Sequence, residues 1–182
     1  EDHEGDDQTV DRDTFRQTNE RIIQDTERFG GQIASDLTIQ VDEWIDKNIR
    51  VLRTMAETPG IRSMNRYEQE VLLKTVQANY PWMYLVFTTD TTGMNVARND
   101  DAELIDYSDR AYVRDIIAGK DVAWQTVIGK TSKKPALVVG VPIRNNQTTV
   151  GVLAAAMQID ELSQRVANWK QGRTGFAFLV DE

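Results

Sequence analysis

Ala136-Leu-Val-Val-Gly-Val-Pro-Ile143 and Val150-Gly-Val-Leu-Ala-Ala-Ala-Met-Gln158 are the two stretches on which the fold turns. Both are apolar runs of strand length, and Asn145-Asn-Gln147 between them is turn-forming, so together they read as a β-hairpin. Working backwards, Lys130–Lys134 is a charged turn and Val122–Ile128 is a further strand. Trp82–Thr89, rich in β-branched and aromatic residues, is another; Asp90-Thr-Thr-Gly93 turns the chain and Met94–Arg98 returns it. That makes five strands with antiparallel connections. Asn99–Ser108 reads as polar loop, and Asp109 as the cap of a short helix that runs through Ala118 and ends at Gly119.

The N-terminal third has a different period. Phe15, Ile22, Phe29, Ile33, Leu37, Val41, Trp44, Val51, Leu52 and Met55 recur mostly at steps of three, four or seven, one apolar face of a helix over residues 14–57. Pro59-Gly60 ends it. At 1.5 Å per residue it is about 65 Å long, more than a small core covers, so part of it packs elsewhere. Gly30-Gly31 marks a kink or the close approach of another backbone. A second helix spans Arg66–Asn79, with Asn65 and Glu68 in capping-box positions and Tyr67, Val71 and Leu72 as its inner face. After the hairpin, Asp160 caps a helix carrying Leu162, Val166 and Trp169, Gly172 ends it, and Phe176–Val180 is a last strand. The fold class is α+β, a long N-terminal helix followed by an antiparallel five-stranded sheet with helices mostly on one side.

Composition narrows the function. Of the net charge of −8, most sits in residues 1–13, which hold seven acids and one Arg; the remaining 169 residues hold 22 acids and 20 bases. The folded body is nearly neutral behind a solvated acidic tail, and no basic stripe points to nucleic acid. There is no Cys, which excludes a disulfide framework, a thiol nucleophile and Cys-ligated zinc. The single His, His3, lies in the tail, so no Ser-His-Asp set forms, and the glycines do not approach phosphate-loop spacing. The paired carboxylates Asp100-Asp101 and Asp106/Asp109 lie in loop sequence, where they are solvated or cap. The reading is a protein without catalytic residues, cofactor or metal. The longest apolar stretches are far below the roughly 18–20 residues of a membrane span, so any span is expected in flanking sequence.

One cluster carries binding chemistry. Asp106-Tyr-Ser-Asp-Arg-Ala-Tyr112 followed by Trp124-Gln-Thr126 sets an Arg, three aromatics and hydroxyls near the mouth of the sheet. Arg offers a planar fork to a carboxylate and aromatics make rigid apolar walls, which suits a small anionic or zwitterionic organic molecule. The candidate ligand-binding residues are Tyr107, Arg110, Tyr112, Trp124 and Thr126. The plainer alternative pairs Arg110 with a nearby Asp and places Tyr112 and Trp124 in the core.

Asp109-Arg-Ala-Tyr-Val-Arg-Asp-Ile-Ile-Ala-Gly119, Val127–Ile143, Val150-Gly-Val-Leu-Ala-Ala-Ala156 and Gly172-Arg-Thr-Gly-Phe-Ala-Phe-Leu-Val-Asp181, in this order behind a long helix, resemble the double Cache sensors. These are extracytoplasmic domains of chemoreceptors, sensor histidine kinases and diguanylate cyclases. The resemblance implies two PAS-like lobes on one spine helix. Residues 58–172 are then a membrane-distal sensor lobe, and 173–182 the start of a truncated membrane-proximal lobe. It implies a receptor's extracytoplasmic piece with a small-molecule ligand. Amino-acid-binding members resemble this chain at Arg110 and Tyr112. Val113 stands where a second aromatic is expected, and Thr126 and Ala156 stand where an amine-binding Asp is expected. The expected ligand is therefore a carboxylate or a neutral molecule, not a standard amino acid. The alternative is a ligand-free homodimerisation domain whose interface is the Phe15–Met55 face of the long helix.

Overall fold

The computed structural model describes residues 7–158, so the expected helix from Asp160 and the strand Phe176–Val180 lie outside the described residues. Helix α1 spans Asp7–Ala56, α2 Pro59–Arg62 and α3 Arg66–Asn79; β1 (Met83–Asp90), β2 (Asn95–Arg98), α4 (Ala111–Ile117), β3 (Ala123–Ile128), β4 (Pro135–Asn145) and β5 (Thr148–Met157) follow. The strands form one sheet in the order β2-β1-β5-β4-β3, every neighbouring pair antiparallel. The mixed α and antiparallel five-stranded architecture is the one the sequence pattern implies.

The chain divides into two units, residues 1–43 and 44–182. In the first, α1 begins at Asp7, inside the stretch read as acidic tail, and runs unbroken through Gly30-Gly31. A Cβ at either glycine would meet nothing within 4 Å, so no backbone of the described residues approaches there. Ile23, Phe29 and Ile39 are more than half exposed.

In the second unit the sheet has two covered faces. On one, Ile49, Leu52, Met55 and Ala56 from the end of α1, Ile61 of α2 and Leu73 of α3 pack on Val86, Val139, Val141, Leu153 and Ala155. Each fully buried Leu or Ile there contributes about 1.5–3 kcal/mol. The Trp82 indole donates to Asn48 Oδ1 at 2.8 Å and ties the entry to β1 onto α1. On the other face, Tyr112, Val113 and Ile116 of α4 and Tyr107 pack on Leu85, Phe87, Val127, Val138, Val152, Ala154 and Ala156. An irregularity between Met83 and Leu85 breaks strict alternation in β1, which puts Leu85 and Phe87 on one face and Met83 and Val86 on the other.

Three local expectations need correcting. Pro59 does end α1, but as the first residue of the one-turn helix α2, where its missing N–H costs nothing. Asn65 caps α3 as expected, its Oδ1 accepting from the Tyr67 and Glu68 N–H groups at 3.0 and 3.4 Å. The inner face of α3, however, is Gln69 and Leu73, and Tyr67 and Val71 are exposed. The phase is rotated because buried Gln69 is held by polar partners: its Nε2 donates to Ile61 O at 2.7 Å and its Oε1 accepts from the Thr88 hydroxyl at 2.6 Å. Finally, the N-cap residue of α4 is Arg110, not Asp109. The β4–β5 turn follows expectation, with Asn146 and Gln147 both at positive φ as a two-residue hairpin turn requires.

Candidate functional site

A cavity of about 240 Å³ opens beneath α4 on the second face of the sheet. Its floor is a row across three strands, Leu85 of β1 paired with Ala156 of β5, and Ala156 paired with Val138 of β4. The methyl group of Ala156 leaves space that a larger residue would fill. Tyr107, stacked on Phe87 with ring centroids 4.5 Å apart, and Tyr112 of α4 make the walls. The β3–β4 connection supplies Gly129, Lys130, Thr131 and Ser132.

The segment bearing Tyr107 is pinned against the β1–β2 turn. Tyr107 N–H donates to Gly93 O at 2.9 Å, and Met94 bridges Asp106. Gly93 has φ +92°, and a Cβ on it would lie 2.7 Å from the Ser108 backbone, so this approach requires glycine. Gln125 Oε1 accepts the Ala111 N–H at 3.2 Å and so fixes the start of α4, and with it Arg110, relative to β3.

Three cations line the cavity. Arg98 is buried; its Nε and Nη2 bind the two oxygens of Asp100, and its Nη1 donates to Glu103 O at 3.0 Å. Lys130 Nζ bonds Asp109 Oδ1 and Asp106 O, each at 2.6 Å, and lies 5.6 Å from the centre of the Tyr107 ring. Arg110 makes no ion pair among the described residues; its Nη2 donates to Ile128 O at 3.0 Å. Burial pushes the Tyr107 and Tyr112 phenol pKa values up, so both remain protonated donors at neutral pH. Neither hydroxyl has a hydrogen-bond partner among the described residues. The hydrogen bond from Lys130 holds the Asp109 carboxyl below the usual carboxylate range.

The sequence as a whole matches the Cache domain family over residues 15–182. The chain belongs to the Cache family. Cache domains are sensor domains, not catalytic ones, in agreement with the reading of a chain without enzyme chemistry. The solved structures similar to this Cache domain include the Campylobacter jejuni chemoreceptor Tlp3 ligand-binding domain with 4-methylisoleucine. It has 14% identity and TM-score 0.62, with 72% of this chain and 58% of that one covered. The Pseudomonas fluorescens chemoreceptor CtaA with L-serine has 13% identity, TM-score 0.70 and coverage of 81% and 65%. The Vibrio cholerae histidine kinase DctB sensor domain has 17% identity, TM-score 0.61 and coverage of 71% and 55%. This chain thus spans 58% of the Tlp3 domain, and at these identities the likeness is one of fold. No curated protein matches the sequence. No helix among the described residues is long and apolar enough to cross a membrane.

Of the five candidate residues, this Cache domain brings Tyr107, Arg110 and Tyr112 together around the cavity. Trp124 and Thr126 do not line it. In β3 they alternate with Ala123, Gln125 and Val127, so they pair with Val139 and Leu137 on the α1 side of the sheet, where both are exposed. Ala156, singled out as the site of a missing carboxylate, is in the floor. Sequence reasoning missed Arg98, Lys130, Tyr84, Thr131 and Ser132. Lys130–Lys134 was legible as a turn, but only the register of β3 on β4 folds that turn over Tyr107. Arg98 and Asp100, two residues apart at the end of a strand, carried the faint signal of an internal ion pair.

Proposed function

We propose that this Cache domain is the extracytoplasmic, ligand-binding part of a transmembrane receptor, and that it holds a small organic carboxylate against Arg110. The carrying observation is that Arg110 is the one lining cation that makes no ion pair with a described carboxylate. Beside it are two buried phenols whose hydroxyls lack partners. A carboxylate supplies acceptors for all three. The Tlp3 and CtaA complexes hold amino acids; here the one acid in the lining, Asp100, is engaged by Arg98, and Asp109 at the rim is engaged by Lys130, which leaves an α-ammonium group without a free carboxylate in the lining. Binding shifts the population of two arrangements of the domain, and α1, whose last turns form part of the core under the sheet, carries the shift toward the membrane.

The test is a thermal-shift panel of small carboxylates, amino acids and neutral analogues. A ligand at a hundred times its dissociation constant adds about 2.7 kcal/mol, a rise in Tm of about 5–10 °C for a chain of this size. Arg110→Ala abolishes the rise. An unchanged response in that variant would remove Arg110 as the anchor.

A further inference from the structure

The charges around the cavity form a short account. Arg98 and Asp100 cancel as a pair. Lys130 and Asp109 cancel as a second pair. Asp109 and Asp106 both stand outside the lining and are exposed; Asp109 enters the account because its carboxylate is ion-paired with the lining Lys130 at 2.6 Å, whereas the Asp106 carboxylate makes no ion pair among the described residues and accepts the Ser108 N–H at 2.7 Å. One positive charge remains, on Arg110. The two ion pairs differ in placement. Arg98 is 2% exposed and woven into the β2 end, whereas Asp109 is 63% exposed and its partner Lys130 reaches it across the rim from the β3–β4 connection. The outer pair can therefore be altered without touching the buried Arg98 and its partner Asp100.

We propose that the Lys130–Asp109 ion pair sets the charge of the ligand, so that the site selects carboxylates with a single negative charge and no ammonium group. This rests on the reading of Arg110 as the carboxylate anchor. A second carboxylate on the ligand finds no unpaired cation, since Arg98 and Lys130 are already neutralised. An ammonium group finds no unpaired acid in the lining and faces the Lys130 ammonium above Tyr107. The rest of the ligand lies on Leu85, Val138 and Ala156, an apolar floor that suits a short uncharged chain. The Tyr107 and Tyr112 hydroxyls donate to the carboxylate or to a neighbouring oxygen.

The experiment holds ligand shape fixed and varies charge. Butyrate, succinate and 2-aminobutyrate share a four-carbon skeleton and carry one negative charge, two, and none net. Isothermal titration calorimetry compares them on the full chain and on Asp109→Asn, Lys130→Gln and the double variant. The wild type prefers butyrate by at least about fivefold, the scale of one unit charge at contact distance under full water screening. Asp109→Asn leaves two net positive charges and moves the preference to succinate. Lys130→Gln frees Asp109, leaves none, and moves it to 2-aminobutyrate. The double variant has one again and returns to butyrate, although the rim contact is gone; a merely structural role for the pair would not give that recovery. The same ranking in all four proteins overturns the proposal, and so does the absence of butyrate binding to the wild type. Binding that survives Arg110→Ala overturns the anchor reading itself, which separates the two failures.

Discussion

Ala156→Leu asks whether the space under α4 is a functional void or a loosely packed piece of core. The side chain is 4% exposed and stands in the cavity floor between Leu85 and Val138. Leu adds three carbons at that point. At about 0.8 kcal/mol per buried methylene the gain is about 2.4 kcal/mol. Ordering the Leu rotamers takes back about 0.5–1 kcal/mol. A net stabilisation of about 1.5 kcal/mol follows, which raises Tm by about 3–6 °C. The neighbour gives an internal control. Ala155, on the same strand, points into the closed core between Val86 and Val139. Leu at 155 has no void to fill, so overpacking costs about 1–3 kcal/mol. Differential scanning calorimetry reads the two signs, and ligand titration of Ala156→Leu reads the loss of binding that accompanies its higher Tm. If both substitutions destabilise alike, or if Ala156→Leu still responds to ligand, the cavity is not the binding site.

Gln69 and Thr88 should behave as a coupled pair. Thr88→Val leaves the buried Gln69 Oε1 without its donor and costs about 1–3 kcal/mol, and Gln69→Leu strands the Thr88 hydroxyl at a similar cost. The double variant removes both partners, so urea unfolding should give a combined loss at least about 1 kcal/mol smaller than the sum; additive losses would show that the hydrogen bond contributes nothing specific. The acid limb of stability should depend on Asp109. Its folded pKa is depressed by Lys130, so its contribution is present above the unfolded value near pH ~3.9 and is lost as pH falls through the lower folded one. Asp106 and Asp121 are lowered too, by the Ser108 N–H and by Arg144, so the informative quantity is the difference between wild type and Asp109→Asn. A steeper fall in Tm for the wild type over roughly pH 5 to 2 is expected, and superimposable curves would contradict it.

Much of the fold was readable because its signals are local. The two runs Ala136–Ile143 and Val150–Gln158 are apolar on both faces because β4 and β5 lie inside the sheet, with helices on either side. Asp90 announced its turn, and its Oδ1 does accept the Thr92 and Met94 N–H groups. What failed was phase. In α3 the apolar residues Tyr67 and Val71 point outward while Gln69 is fully buried, and only the later arrival of Thr88 from β1 makes that tolerable. A hydrophobic count cannot see a hydrogen bond across 19 residues of sequence.

The site divides along the same line. Arg110 and Tyr112 share the cavity lining because one helix start places both there, a local relation. Trp124 and Thr126 were expected there on residue type, and a strand obeys parity instead: the residues with the conspicuous chemistry face away, while Gln125 and Val127 between them serve the site, one capping α4 and one lining the cavity. In a six-residue strand with no charge, neither parity is marked in the sequence. Lys130 shows why charge type alone misleads as well. A lysine in a charged turn has every reason to be solvated, yet here β3 and β4 carry it back over Tyr107 to Asp109, and it neutralises the acid that would otherwise offset Arg110. The charge selection proposed for Lys130 is thus invisible in the residue's own identity and exists only in the register that brings two rims together.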